Sequence, residues 1–141
     1  MIDDPVSEQV IGACIEVHRH LGPGLLEGIY EECVCHELAA RGVAYKRQFV
    51  MPVAYKGVEL DSVYRLDLVV EDRVIVEFKS VDVVLPVHFA QLSTYLRATH
   101  FEVGLLINFN VAVLKQGIRR FTKSTDKFLD LPLISKTPIS Q

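Results

Sequence analysis

The stretch Asp67-Leu68-Val69-Val70-Glu71-Asp72-Arg73-Val74-Ile75-Val76-Glu77-Phe78-Lys79 decides the fold of this chain. Residues 63–70 and 74–81 are rich in β-branched and apolar side chains, and Glu71-Asp72-Arg73 interrupts them as a polar turn, which predicts a hairpin. With those three residues as the loop, Val70 pairs with Val74 and Asp67 falls opposite Glu77. Alternate residues of a strand share a face, so Glu77 and Lys79 are expected to point one way, as are Arg65 and Asp67. Like charges directly opposite destabilise a sheet, so the pair calls for a bound cation or a raised carboxyl pKa. A divalent ion with oxygen ligands is the simplest supplier; a solvated polar face with ordinary ion pairs is the plain alternative.

Outward from the hairpin, apolar residues at Val6, Val10, Cys14, Val17 and Leu21 have helical spacing and predict a helix over 5–20 that ends at Gly22-Pro23-Gly24. A second helix is expected over 25–41, closed by Gly42. Strands are expected over 44–55 and 58–63 about the Lys56-Gly57 turn, then a third helix from Pro86 to about 97. The apolar run Val103-Gly104-Leu105-Leu106-Ile107 reads as an interior strand covered on both sides, and 118–121 as a short last strand. Helix, helix, strands, helix, strand, strand predicts one sheet flanked by helices with the hairpin at its middle.

With 141 residues the chain is expected to form one domain over 1–123, followed by a polar tail over 124–141. The acidic start, Met1-Ile2-Asp3-Asp4, is unlike a secretory signal, and no apolar run reaches membrane-spanning length, so a soluble cytoplasmic protein with no membrane partner is expected. Cys14, Cys33 and Cys35 lack finger-like or redox spacing and read as free thiols. Cys33-Val34-Cys35-His36 lies in a helical pattern, where residues two apart diverge, so a zinc site there is not expected. The net charge of -3 is uneven: residues 1–40 carry eight acids against Arg19, for -7, and the remainder nets +4. Lys115, Arg119, Arg120, Lys123 and Lys127 cluster late in the chain, where either a phosphate-bearing partner or plain solvent suits them.

Four pieces together resemble a known group of proteins. Gly24-Leu25-Leu26-Glu27-Gly28-Ile29-Tyr30 matches the G-x-x-E-x-x-Y signature of the GxxExxY protein family. Asp67 with Glu77-Phe78-Lys79 is similar to the core of the PD-(D/E)XK nuclease superfamily, and Gln91-Leu92-Ser93-Thr94-Tyr95 to the Q-x-x-x-Y element of its RecB-like branch. Residues 104–109 and 117–120 are also similar, so the resemblance runs over about 5–121. Leu66 stands where the superfamily's name would place a proline.

The resemblance implies an α/β restriction-endonuclease-like fold, with a mixed central sheet flanked by helices, and hydrolysis of phosphodiester bonds. It implies Mg2+ or Mn2+ held by Asp67, Glu77 and the Phe78 carbonyl, with Glu27 as an added acid ligand, direct or through water, and Lys79 orienting or deprotonating the attacking water or steadying the transition state. An acid such as Glu27 is also favoured in a first helical turn by the macrodipole alone. Tyr30 is open to two roles, a hydrogen bond to Glu27 or another carboxylate, or core packing with a satisfied hydroxyl. Gln91 and Tyr95, four apart on a helix, are adjacent and look spare for polar work, whereas Phe89, Leu92 and Leu96 supply the buried stripe; His88 has no assigned role. The implied partner is nucleic acid, DNA ahead of RNA, and a homodimer is compatible with cutting two strands. Two alternatives remain open: a non-catalytic nucleic-acid- or protein-binding module on the same fold, and a hydrolase of a small phosphorylated molecule.

Overall fold

The computed structural model describes residues 4–123. The expected tail over 124–141, with Lys127, and the first three residues lie outside that range. Helix α1 spans Pro5–Leu21 and α2 Glu27–Ala40; strands β1 (Tyr45–Tyr55), β2 (Val58–Val70) and β3 (Val74–Lys79) follow, then α3 (Pro86–Ala98), β4 (Val103–Asn108), a short 3-10 turn at Leu114–Gly117 and β5 (Ile118–Thr122). The sheet order is β1-β2-β3-β4-β5, parallel only between β3 and β4, where α3 makes the crossover. This is a mixed five-stranded sheet flanked by three helices, the α/β restriction-endonuclease-like architecture.

Each end of an element has a local cause. Pro5 opens α1 where a missing N–H costs nothing, and Gly22, at φ 71°, closes it by donating its N–H to the His18 carbonyl at 2.7 Å. Asp4, buried at the same start, accepts hydrogen bonds from the Ser7 hydroxyl at 2.6 Å and from Arg73 Nε at 2.9 Å, which tie α1 to the hairpin turn. Burial opposes the Asp4 charge, but those bonds and the Arg73 guanidinium outweigh it and hold the carboxyl below its ordinary range. The hairpin turn has Glu71 and Asp72 both at φ 54°, and the Lys56-Gly57 turn has φ 51° and 83°, the left-handed pairs that suit tight hairpins.

Two cores sandwich the sheet. On one face α1 and α2 pack Val10, Cys14, Tyr30, Val34 and Leu38 against Leu68, Val70, Val76, Phe78 and Ile107; on the other α3 packs Phe89, Leu92, Tyr95 and Leu96 against Leu66, Val69, Ile75 and Leu106. Cys35 belongs to the first core, and burial pushes its thiol up to about 11.

Three boundaries differ from expectation by more than one residue. The α2 helix starts at Glu27, because Leu25 and Leu26 stay in the loop; the two expected strands over 58–70 are one; and β3 stops at Lys79. That stop has a cause at β4. The buried Asn108 amide donates to the Val81 carbonyl at 2.9 Å and accepts the Val81 and Asn110 N–H groups at 3.0 and 3.2 Å, replacing the ladder with side-chain bonds. Gly117 sits against the same residue, where a Cβ would overlap the Asn108 carbonyl oxygen.

Candidate metal centre

The β2–β3 register is Val70↔Val74, Val69↔Ile75, Leu68↔Val76, the pairing expected of the three-residue loop. The ladder stops one step short of Asp67 and Glu77, and the strands fork. Side chains bridge the fork: the Asp67 N–H donates to Glu77 Oε2 at 3.2 Å, and the Phe78 N–H donates to Asp67 Oδ2 at 2.9 Å. Each carboxylate therefore leans on the other strand's backbone, and the two acids share one small space at the end of the sheet.

Electrostatics follow from that crowding. Glu77 is 8 % exposed; burial first, and then the Asp67 charge, push its carboxyl up to about 8. Burial also raises Asp67, with Glu31 and Glu27 adding to it, while the Phe78 N–H and Lys79 oppose the rise. Lys79 has no direct ion pair among the described residues, yet its charge reaches Asp67, Glu77 and His88.

Glu27, at the first position of α2, accepts the Ser80 N–H at 3.4 Å, next to Lys79. The preceding loop is fixed by Tyr30 and Ser80. The Tyr30 hydroxyl donates to the Gly22 carbonyl at 2.5 Å and accepts the Leu25 N–H at 3.1 Å, and the Ser80 hydroxyl donates to the Leu25 carbonyl at 2.5 Å. Tyr30 is fully buried and stacks on Phe109 at 4.2 Å, so of its two expected roles it takes core packing with a satisfied hydroxyl. In this way the tyrosine of G-x-x-E-x-x-Y holds the loop that delivers its glutamate. Tyr30→Phe is expected to cost about 1–3 kcal/mol, because it leaves two loop backbone groups without their partner. Urea denaturation measures it, and an unchanged midpoint would remove this staple.

On α3, Gln91 Nε2 donates to the Tyr95 hydroxyl at 2.9 Å, as adjacency implied. Gln91 is exposed, whereas Tyr95 is 8 % exposed and lies 5.0 Å from the Tyr64 ring, so Tyr95 is less spare than expected. Its hydroxyl end still feels the site: burial first, and the Glu77 and Asp67 charges, raise its pKa. His88 caps the same helix, its Nδ1 accepting the Leu85 N–H at 3.0 Å. Burial first, and then the Lys79 charge, lower its pKa against the opposing pull of Glu27.

Three residues that sequence reasoning passed over adjoin this centre. Glu31, one turn after Glu27, is 6 % exposed and accepts Arg47 Nε at 2.8 Å and Gln48 Nε2 at 3.1 and 3.2 Å. Gln48 has φ 49°, a conformation costly for a non-glycine residue, between the pairs Arg47↔Leu68 and Phe49↔Leu66 and so at the level of Asp67. There the strands exchange faces: Leu68 packs on the helical pair, Leu66 on α3. Simple alternation, which put Arg65 and Asp67 on one face, fails at this point. The late basic cluster is partly tied up locally, since Arg119 donates to the Ile118 carbonyl at 3.0 Å and Lys123 to that of Thr99.

Among the described residues, no three His, Cys, Asp or Glu side chains form a ready ligand cage. The donor set nonetheless fits one hard divalent cation, which takes one or two carboxylates and fills its remaining positions with water. Two like-charged, desolvated carboxylates held together by backbone donors are also the arrangement a cation would relieve.

Residues 4–121 match the PD-(D/E)XK nuclease superfamily, and the chain belongs to it. No curated protein and no solved structure matches the chain. No helix among the described residues is long and apolar enough to cross a membrane.

Proposed function

We propose that residues 4–123 form one domain that hydrolyses phosphodiester bonds of nucleic acid, DNA ahead of RNA, in the cytoplasm, with Mg2+ or Mn2+ bound at Asp67 and Glu77. The observation that carries this reading is the fork. Two carboxylates, Glu77 buried and Asp67 half-buried, converge at the end of the sheet, the first of them pushed up to about 8, with Lys79 two residues along the same strand. A purely structural ion-pair face would match each acid with a base, but these two acids are matched with each other.

Within a strand the N–H and C=O of one residue face the same edge, so the Phe78 carbonyl turns, like its N–H, toward Asp67 and supplies a third oxygen. Glu27, beside Ser80, is placed to complete the donor set directly or through water. A bound divalent cation supplies Lewis acidity that neutralises charge on the phosphoryl oxygens. Lys79 contributes a fixed positive charge that orients the attacking water and offsets charge developing on the phosphate. Gln91 and Tyr95 steady that side of the site by their mutual hydrogen bond, and the G-x-x-E-x-x-Y segment places Glu27.

Cleavage of labelled single-stranded, double-stranded and branched DNA, and of RNA, with Mg2+ or Mn2+ tests the reading. Metal-dependent cutting is expected from the wild type and lost in Glu77→Ala and Lys79→Ala. Folded wild type that cuts none of these substrates would shift the assignment to a binding module on the same fold.

A further inference from the structure

Strand β2 runs antiparallel to β3 and continues far past it. Its pairing with β3 covers only residues 68–70, yet it stays paired with β1 back to Val58. The β1–β2 ribbon therefore overhangs the carboxylate end of the sheet. From the level of Lys79 to the tip is about seven residues, or roughly 20 Å at strand rise. Its base is Gln48 and Asp67, so whatever lies across the metal centre lies along this ribbon. Residues 45–65 carry Lys46, Arg47, Lys56 and Arg65 against Glu59 and Asp61, a positive arm on a chain whose first 40 residues net -7.

Two of those cations flank Asp67 on the face turned to α2. Arg47 is across from Leu68, which packs on that face, and bonds Glu31 of α2 directly. Arg65 pairs with Val50, and its neighbour Leu66 packs on α3, so alternation turns Arg65 to the α2 side. The exchange of faces at Gln48 is what brings both guanidiniums to one side. Regular alternation across 65–68 would have left them on opposite faces.

Their bonding state suits an incoming anion. Arg47 spends only Nε, on the buried Glu31 carboxylate at 2.8 Å; its two terminal nitrogens have no partner among the described residues, and the side chain remains 42 % exposed. Glu31 is braced from its other side by the Gln48 amide. A guanidinium fixed at Nε with its outer fork open is preorganised for phosphate, since its rotamer entropy is already lost. Arg65 is exposed and has neither hydrogen bond nor ion pair among the described residues.

Resting on the nuclease reading above, we propose that Arg47 and Arg65 bind the phosphate backbone of the substrate strand where it passes Asp67 on the α2 side, with Glu31 and Gln48 as positioning residues for Arg47. The contact is to phosphate and carries no base preference. The pair thereby sets the path of the strand along the α2 side of the ribbon and over Asp67.

The test measures binding of labelled single- and double-stranded oligonucleotides by fluorescence anisotropy across a salt series, in a Lys79→Met background so that no cutting intervenes. Arg65→Gln changes a side chain without partners and leaves the fold alone. Removing Arg47 alone would strand the buried Glu31 charge, so its arm is Arg47→Met combined with Glu31→Gln. Each is expected to lower the slope of log K against log salt by roughly 0.7–0.9, equivalent to about five- to eightfold weaker binding at 0.1 M than the parent, referred to 1 M. The rise in melting temperature on adding Mn2+ is expected to persist in Arg65→Gln, which separates phosphate binding from the metal centre. Unchanged slopes in both variants, with the parent binding well, would overturn this inference alone. No binding of any oligonucleotide by the parent or the wild type would overturn it together with the nuclease reading.

Discussion

Lys79→Met is expected to lower turnover by about 10²-fold or more while leaving the folded protein and its divalent-ion stabilisation in place. The expectation rests on where the ammonium stands. Lys79 follows Glu77 by two residues on β3, its charge reaches both carboxylates, and no acid among the described residues takes it in a direct ion pair. Removing a committed ion-pair partner would cost stability; removing this cation costs the chemistry it is aimed at. Methionine keeps the aliphatic stem and so isolates the charge. The measurement is single-turnover cleavage at saturating metal, paired with thermal denaturation with and without Mn2+. Unchanged turnover would sink the catalytic role, and loss of the metal-induced stabilisation would make Lys79 a structural partner of the carboxylates.

The register that places Lys79 was legible because it is a local matter. A polar three-residue turn between two β-branched runs fixes Val70 against Val74, and the pairs up to the fork, Val69↔Ile75 and Leu68↔Val76, follow from counting. The α3 stripe and the apolar β4 strand were legible for the same reason, since burial on one or both faces leaves a period in the letters. The Arg47–Glu31–Gln48 cluster left no such mark. Its members come from an edge strand and a helix, and their contact spans 16 and 17 positions. The one available signal was Glu31 itself, an acid one turn beyond Glu27 on the same side of α2. The exchange of faces at Gln48 was equally hidden, because a glutamine with positive φ is unusual and nothing in its neighbours announces it. Tyr30 is intermediate: its place in a motif was visible, but its bonds to Gly22 and Leu25 depend on how the loop folds back.

Glu77→Gln is expected to make the metal-free protein more stable at pH 8.5, and to abolish its stabilisation by Mg2+ or Mn2+. The Glu77 carboxyl is raised from 4.5 to about 8 in the folded chain, chiefly by burial and then by the Asp67 charge, and returns to its ordinary value on unfolding. Between those values the folded state holds a proton that the unfolded state has released, so stability falls as pH rises. The decline runs at up to about 1.4 kcal/mol per pH unit from near 4.5 and is complete above about 8, a total of about 5 kcal/mol at most. Asp67, shifted in the same direction, adds to this decline, while Asp4, shifted the other way, contributes stability that disappears only as pH falls below the ordinary carboxylate range. Glutamine can still accept the Asp67 N–H through its carbonyl oxygen, but it carries no charge to desolvate or to repel Asp67. It therefore flattens the alkaline decline and leaves Asp67 easier to ionise. A divalent cation acts on the same quantity from the other side: it binds the ionised pair, stabilising the wild type by about 3 kcal/mol at a hundredfold excess over its dissociation constant, and more effectively at pH 8 than at pH 6. Urea denaturation of both proteins at pH 6 and 8.5, with and without Mn2+, reads both effects. A wild type whose metal-free stability is flat across that range, or a glutamine variant that is no more stable than the wild type at pH 8.5, would show that the two carboxylates do not oppose each other as the fork requires.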